Sequence, residues 1–223
     1  MTRRGIIGIL VTAALLIAAG VPAVSAQGAT VDTVAVEKID VYNLAVDEAQ
    51  AGNYTAAMEY VDAALAIDGN FTLAWVTKAG ISSAQGDYTG ALAAAEQATA
   101  LNPDQTEAWV VSADALVNLG RYDGAVAAAD RAITLDPEMI ESYIIQGTAY
   151  GKMGEYEKEI EVSEKALEIN PNDVRAQTNL QFARANVGGD AGTPSEPTQT
   201  PFPAAGAVLG AGVLFLASRR RYR

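Results

Sequence analysis

The chain of 223 residues contains no cysteine and no histidine. Without cysteine there is no disulfide and no thiol nucleophile. Without histidine the side chain that most readily trades protons near neutrality is gone, and the two absences together remove the usual zinc ligands. Acid/base chemistry would fall to Asp, Glu, Lys and Tyr alone. Basic residues are also scarce, 15 against 27 acidic, for a formal net charge of −12. Six of the basic residues (Arg3, Arg4, Arg219, Arg220, Arg221 and Arg223) sit at the two ends, so the body between them is more acidic than the total suggests. Such a body repels phosphate backbones and disfavours nucleic acid as a partner. Glycine-rich phosphate loops are missing too: Gly206, Gly210 and Gly212 fall in an apolar stretch near the end and follow no strand. The sequence calls for no cofactor and no metal.

What the chain does have is a period. Gly52, Gly86, Gly120 and Gly154 recur at intervals of 34 residues, each followed two positions later by Tyr54, Tyr88, Tyr122 or Tyr156. The same step carries Ala57 to Ala91 and Ala125, Ala64 to Ala98, Ala132 and Ala166, and Pro103 to Pro137 and Pro171. A fixed period of this length marks a stacked array. Glycine permits the positive φ that ends a first helix, alanine lets two helices approach closely, and proline cannot continue the second helix. The expected unit is a helical hairpin, used four times.

The text that carries this pattern is AWVTKAGISSAQGDYTGALAAAEQATALNPDQ (74–105), AWVVSADALVNLGRYDGAVAAADRAITLDPEM (108–139) and SYIIQGTAYGKMGEYEKEIEVSEKALEINPND (142–173). Together with a weaker first unit from Lys38, it resembles the tetratricopeptide repeat family over 38–173. Two departures stand out. Gly69 replaces the proline, and Glu159 replaces the alanine, of the other units. The resemblance implies an all-α, right-handed superhelical solenoid of four units (38–71, 72–105, 106–139 and 140–173). Trp75, Trp109, Tyr143 and the four hairpin tyrosines would be packing residues. A capping helix is expected over 174–187, with Asp173 as its N-cap, Val174, Leu180 and Ala183 inward, and Arg175, Gln177, Gln181 and Arg184 outward.

Both ends read as membrane-directed. Two arginines, an apolar run over 6–19 and a small-residue stretch before position 27 form the layout of a signal peptide, 1–26, followed by a linker, 27–37. Residues 188–203, rich in Pro, Thr and Gly, read as a stalk. The uncharged stretch 204–218 would span roughly 22 Å as a helix, short of the ~30 Å hydrocarbon core. With the basic tail 219–223 it is similar to the C-terminal sorting signals of microbial surface proteins, in which the tail can be cut off. The alternative is a retained short transmembrane helix, and by the positive-inside rule the repeats lie outside the membrane. Asn53-Tyr54-Thr55 and Asn70-Phe71-Thr72 are sequons, possible sites for sugars at Asn53 and Asn70.

In the resembled family the first helices line an inner groove. Carried over by position, the lining is Tyr42, Val46 and Gln50; Val76, Gly80 and Ala84; Val110, Asp114 and Asn118; and Ile144, Thr148 and Lys152. The alternative is that Val76, Val110 and Ile144 only pack units together. A subset of the family grips a C-terminal carboxylate with basic and amide side chains; here those positions hold Tyr42, Val46, Thr77, Glu107 and Val111, so that clamp is absent. Glu157, Glu161, Glu164 and Glu168 lie along one helix face and read as a solvated surface, with Glu161 placed to pair with Lys165. The expectation is a non-catalytic, membrane-tethered scaffold that binds an extended or helical protein segment. Its rival is a structural or adhesive surface component using the repeats as a spacer.

Overall fold

The computed structural model describes residues 31–187, with side chains from residue 37. The signal segment 1–26, the stalk 188–203, the apolar stretch 204–218 and the basic tail lie outside the described residues. Within them the chain is helical throughout: α1 Val31–Gln50, α2 Tyr54–Ile67, α3 Thr72–Ala84, α4 Tyr88–Leu101, α5 Thr106–Asn118, α6 Tyr122–Leu135, α7 Ile140–Met153, α8 Tyr156–Ile169 and α9 Val174–Asn186. The first helix starts seven residues ahead of the expected unit boundary, because 31–37 holds neither glycine nor proline to stop it. No described helix is long and apolar enough to cross a membrane.

Each hairpin turn is built the same way. Gly52, Gly86, Gly120 and Gly154 have φ of 79°, 79°, 72° and 76°, the left-handed region that glycine enters without a Cβ penalty. The next residue then donates its N–H to the carbonyl five positions back: Asn53 to Glu48, Asp87 to Ser82, Arg121 to Leu116 and Glu155 to Tyr150, at 2.8–2.9 Å. These bonds satisfy carbonyls that a helix end otherwise leaves open.

The turn between units departs from the expectation that proline ends the second helix. Each second helix stops one residue earlier, at Asp68, Asn102, Asp136 or Asn170, all in extended backbone. Each of these side chains accepts the N–H two residues on, from Asn70, Asp104, Glu138 and Asn172, at 3.0–3.1 Å. An Asx turn therefore sets the break, and proline reinforces it where present. Gly69 can stand in the proline position because the turn does not depend on it.

A third periodic bond pins each first helix to the turn before it. Trp75 and Trp109 donate Nε1–H to the carbonyls of Gly69 and Pro103 at 2.8 Å, and Tyr143 donates its hydroxyl to Pro137 at 3.2 Å. Gln177 on α9 repeats the bond with Nε2 to the carbonyl of Pro171 at 2.9 Å. Helix α9 is thus the first helix of a fifth unit, still in register. Its outer face is polar, with Gln177, Gln181 and Arg184 exposed, which is what an end helix needs. Asp173 caps it, accepting the N–H groups of Arg175 and Ala176. One expectation fails: Val174 is 72% exposed, and the inward residues are Ala176, Asn179 and Ala183, with Leu180 half-buried.

Alanine makes the interior. Ala57, Ala64, Ala91, Ala95, Ala98, Ala125, Ala129 and Ala132 on the second helices are fully buried, so the helix backbones lie close. The hairpin tyrosines Tyr54, Tyr88 and Tyr122 pack half-buried against these clusters, and Tyr156 meets Phe182 edge-on at 5.9 Å.

Candidate functional site

The inner side of the stack is identified by which helices touch. First helices of successive units pack directly on each other, α3 on α5, α5 on α7 and α7 on α9, and no comparable packing links successive second helices among the described residues. The first helices therefore lie on the inside of the bend.

Polar side chains tie these first helices together. Tyr42 Oη and Thr77 Oγ1 are 3.1 Å apart. Ser83 donates its hydroxyl to Asp114 Oδ2 at 2.9 Å, and Asn118 donates Nδ2–H to the Asp114 carbonyl at 2.9 Å and to Oδ1 at 3.2 Å. Asn179 donates to the Ile144 carbonyl and to Thr148 Oγ1, both at 3.3 Å. Burial pushes the Asp114 carboxyl up to about 6, against the pull of the Ser83 and Asn118 bonds. The seam is thus a set of interhelical locks, with Asp114 as its one carboxyl, further held by Asn118 of its own helix.

The expected groove lining divides. Tyr42, Val46, Val76, Gly80, Val110, Asp114 and Ile144 are buried, Val76 and Val110 at only 2% exposure. They pack between units, which leaves little of their surface for a partner to meet. A small residue at the contact lets first helices close on one another: a Cβ at Gly147 on α7 would lie 3.3 Å from Asn179 Nδ2 on α9. Gln50, Asn118 and Lys152 are exposed and Ala84 and Thr148 half-buried. Gln50, Ala84, Asn118 and Lys152 each lie four residues beyond a seam position (Val46, Gly80, Asp114 and Thr148), hence on the same helix face.

A second accessible row was not recognised as a row in the sequence, which singled out only Glu107 and Arg175 of its members. Ile39, Leu73, Glu107, Glu141 and Arg175 are half-buried, recur every 34 residues, and lie three positions before Tyr42, Val76, Val110, Ile144 and Thr178. The same period that located the turns would have found them. Arg175 pairs with Glu141 at 3.6 Å and Asp173 at 3.2 Å. The inner face therefore offers amides, a lysine and two aliphatic side chains, more polar than expected.

Elsewhere, Glu157, Glu161, Glu164 and Glu168 are exposed on α8. Lys165 pairs with Glu168 at 2.9 Å instead of with Glu161, and Arg184 pairs with Glu164 at 2.9 Å. Asn53 and Asn70 are both exposed; Asn53 Nδ2 donates to Glu48 at 2.8 Å.

Models of the tetratricopeptide repeat match residues 83–140 and 140–173. Among solved structures, the crystal structure of MamA protein aligns with a TM-score of 0.62 at 20% identity, covering 83% of this chain and 94% of that one. MamA from Desulfovibrio magneticus RS-1, residue 41 to the end, gives 0.62 at 17%, covering 82% and 94%. The first TPR domain of Spaghetti (RPAP3), bound to the HSP90 peptide SRMEEVD, gives 0.51 at 21%, covering 52% and 92%. No curated protein matches the chain.

Proposed function

We propose that this chain, which belongs to the tetratricopeptide repeat family, is a scaffold that holds a segment of another protein along the inner side of its first helices. One observation carries the reading: the exposed row Gln50, Asn118 and Lys152, with Thr148 beside it, repeats with the period of the fold on its inner side. Amide side chains both donate and accept hydrogen bonds, so Gln50 and Asn118 suit the backbone of an extended partner segment. Ile39 and Leu73 add apolar contact at one end, and Lys152 favours an acidic group at the other. The peptide-bound RPAP3 structure supports a peptide as the occupant for this fold. The partner differs in kind from a chaperone C-terminus, because the basic clamp positions hold Tyr42, Val46, Thr77, Glu107 and Val111.

The activity is binding without catalysis. The residues outside the described region support a location for it: a signal-like start, a Pro/Thr-rich stalk, and an apolar stretch ending in four arginines. Exported and tethered by its tail, the scaffold would present the inner face outside the membrane. Intact mass of the mature protein tests the location; loss of residues 1–26 supports export, and retention of the whole chain refutes it. Binding is tested with Gln50→Ala, which leaves the seam bonds intact, and with Asn118→Ala, which also removes the bonds to Asp114 and is therefore read beside its unfolding midpoint. Together they should weaken capture of the partner by about tenfold. Unchanged capture would move the site off the inner face.

A further inference from the structure

Hairpin α7–α8 contains a second buried acid, apart from Asp114 of the seam, at a position where the earlier units carry alanine. Glu159 occupies the place of Ala57, Ala91 and Ala125, is 2% exposed, and its Oε2 has no hydrogen-bond partner. Room for it comes from the facing helix. A Cβ at Gly151 would lie 2.6 Å from Oε2 and 2.7 Å from Oε1, and the earlier units carry Ala49, Ser83 and Val117 at that position. Glutamate and glycine are therefore fitted to one another across the α7–α8 contact.

We propose that Glu159 is a proton-operated latch: protonated, it keeps α8 closed on α7, and loss of its proton releases α8 and α9 from the end of the stack. A neutral carboxyl fills the space beside Gly151 at modest cost, whereas a carboxylate there is shut off from bulk solvent with no protein donor on its second oxygen. The groups on the packed elements do not rescue it. Helix α7 carries Glu141, Tyr143, Tyr150 and Lys152; α9 carries Arg175, turned to Asp173 and Glu141, and Arg184, turned to Glu164. On α8 itself, Lys158 pairs with Glu155 and Lys165 with Glu168, and Glu157, Glu161 and Glu164 add negative charge. Burial alone sets its proton affinity, raised to about 8. In an opened hairpin the carboxyl reverts to about 4.5. Opening then sheds a proton: the closed form is favoured fully below pH ~4.5 and loses that advantage as pH rises through about 8.

The experiment is hydrogen exchange on the full chain from pH 6 to 9, with rates corrected for the intrinsic dependence on base. Amides of α8 and α9 should open roughly tenfold more per pH unit up to pH 8 and then level off, while α3–α6 stay flat. Asp114, at about 6, titrates at the lower edge of this window and on another unit, so the flatness of α3–α6 is read above pH ~7. Glu159→Gln should abolish the slope, and Glu159→Ala, which restores the alanine of the earlier units, should do so independently. Flat corrected rates in the unaltered chain, or a slope that survives in either variant, would overturn the latch.

Discussion

Hairpin α5–α6 closes on alanine, whereas α7–α8 closes on glycine, serine and an acid. The two share turn geometry closely, with Gly120 and Gly154 at φ 72° and 76° and the same bond from the following N–H. Beneath that turn they diverge position by position. Buried Ala108, Ala125 and Ala129 become buried Ser142, Glu159 and Ser163, while Ala113 and Val117 become Gly147 and Gly151. The hydroxyls of Ser142 and Ser163 have no partner, like Glu159 Oε2. Repetition of the loop thus specifies the stack, and the interior can be changed within it at a cost in stability.

The largest effect should come from moving the acid. Ala125→Glu places a carboxylate against Val117, with no glycine to receive it, and should cost about 3–5 kcal/mol in a urea unfolding series near neutral pH. A loss under ~1 kcal/mol would mean that Gly151 is not what accommodates the acid. Next, Ser142→Ala and Ser163→Ala should each stabilise, by up to about 1–3 kcal/mol for a buried unpaired hydroxyl. Destabilisation by either would show that these hydroxyls are satisfied in solution and that the fourth unit is not the strained one.

Where the two hairpins agree, substitutions should not tell them apart. Gly120→Ala and Gly154→Ala should each cost about 1–2 kcal/mol through the left-handed backbone, and by similar amounts. A twofold difference would break the claim that the turn is independent of the interior. The smallest effect concerns the first unit. Gly69 has room, with only the Leu65 carbonyl 3.9 Å from an added Cβ, and Asp68 already has the backbone that Asn102 shows before Pro103. Gly69→Pro should stabilise by about 0.4–1 kcal/mol, read as a rise in the urea midpoint.

The turns were legible from the sequence because a glycine at positive φ leaves a signature wherever it occurs. Helix α9 was legible only as a cap; its membership in the frame was hidden by Gln177, which makes an aromatic residue's hydrogen bond without being aromatic. The inner lining was half legible. Helical spacing puts Val76 and Gly80 on one face, but it does not say whether a neighbouring helix covers that face, and here small residues let it do so. Glu159 was visible as a departure, yet its compensation at Gly151 could be recognised only once α7 and α8 were seen to face each other.

The central claim is that another protein lies along the inner side of the first helices. Photo-cross-linkers at positions 50, 118 and 152, set against others at exposed positions 130 and 164 on the second helices, test it most directly. The account predicts that one partner is captured from the three inner positions and not from the outer two. Equal capture from both faces, or capture from the outer positions alone, would contradict it.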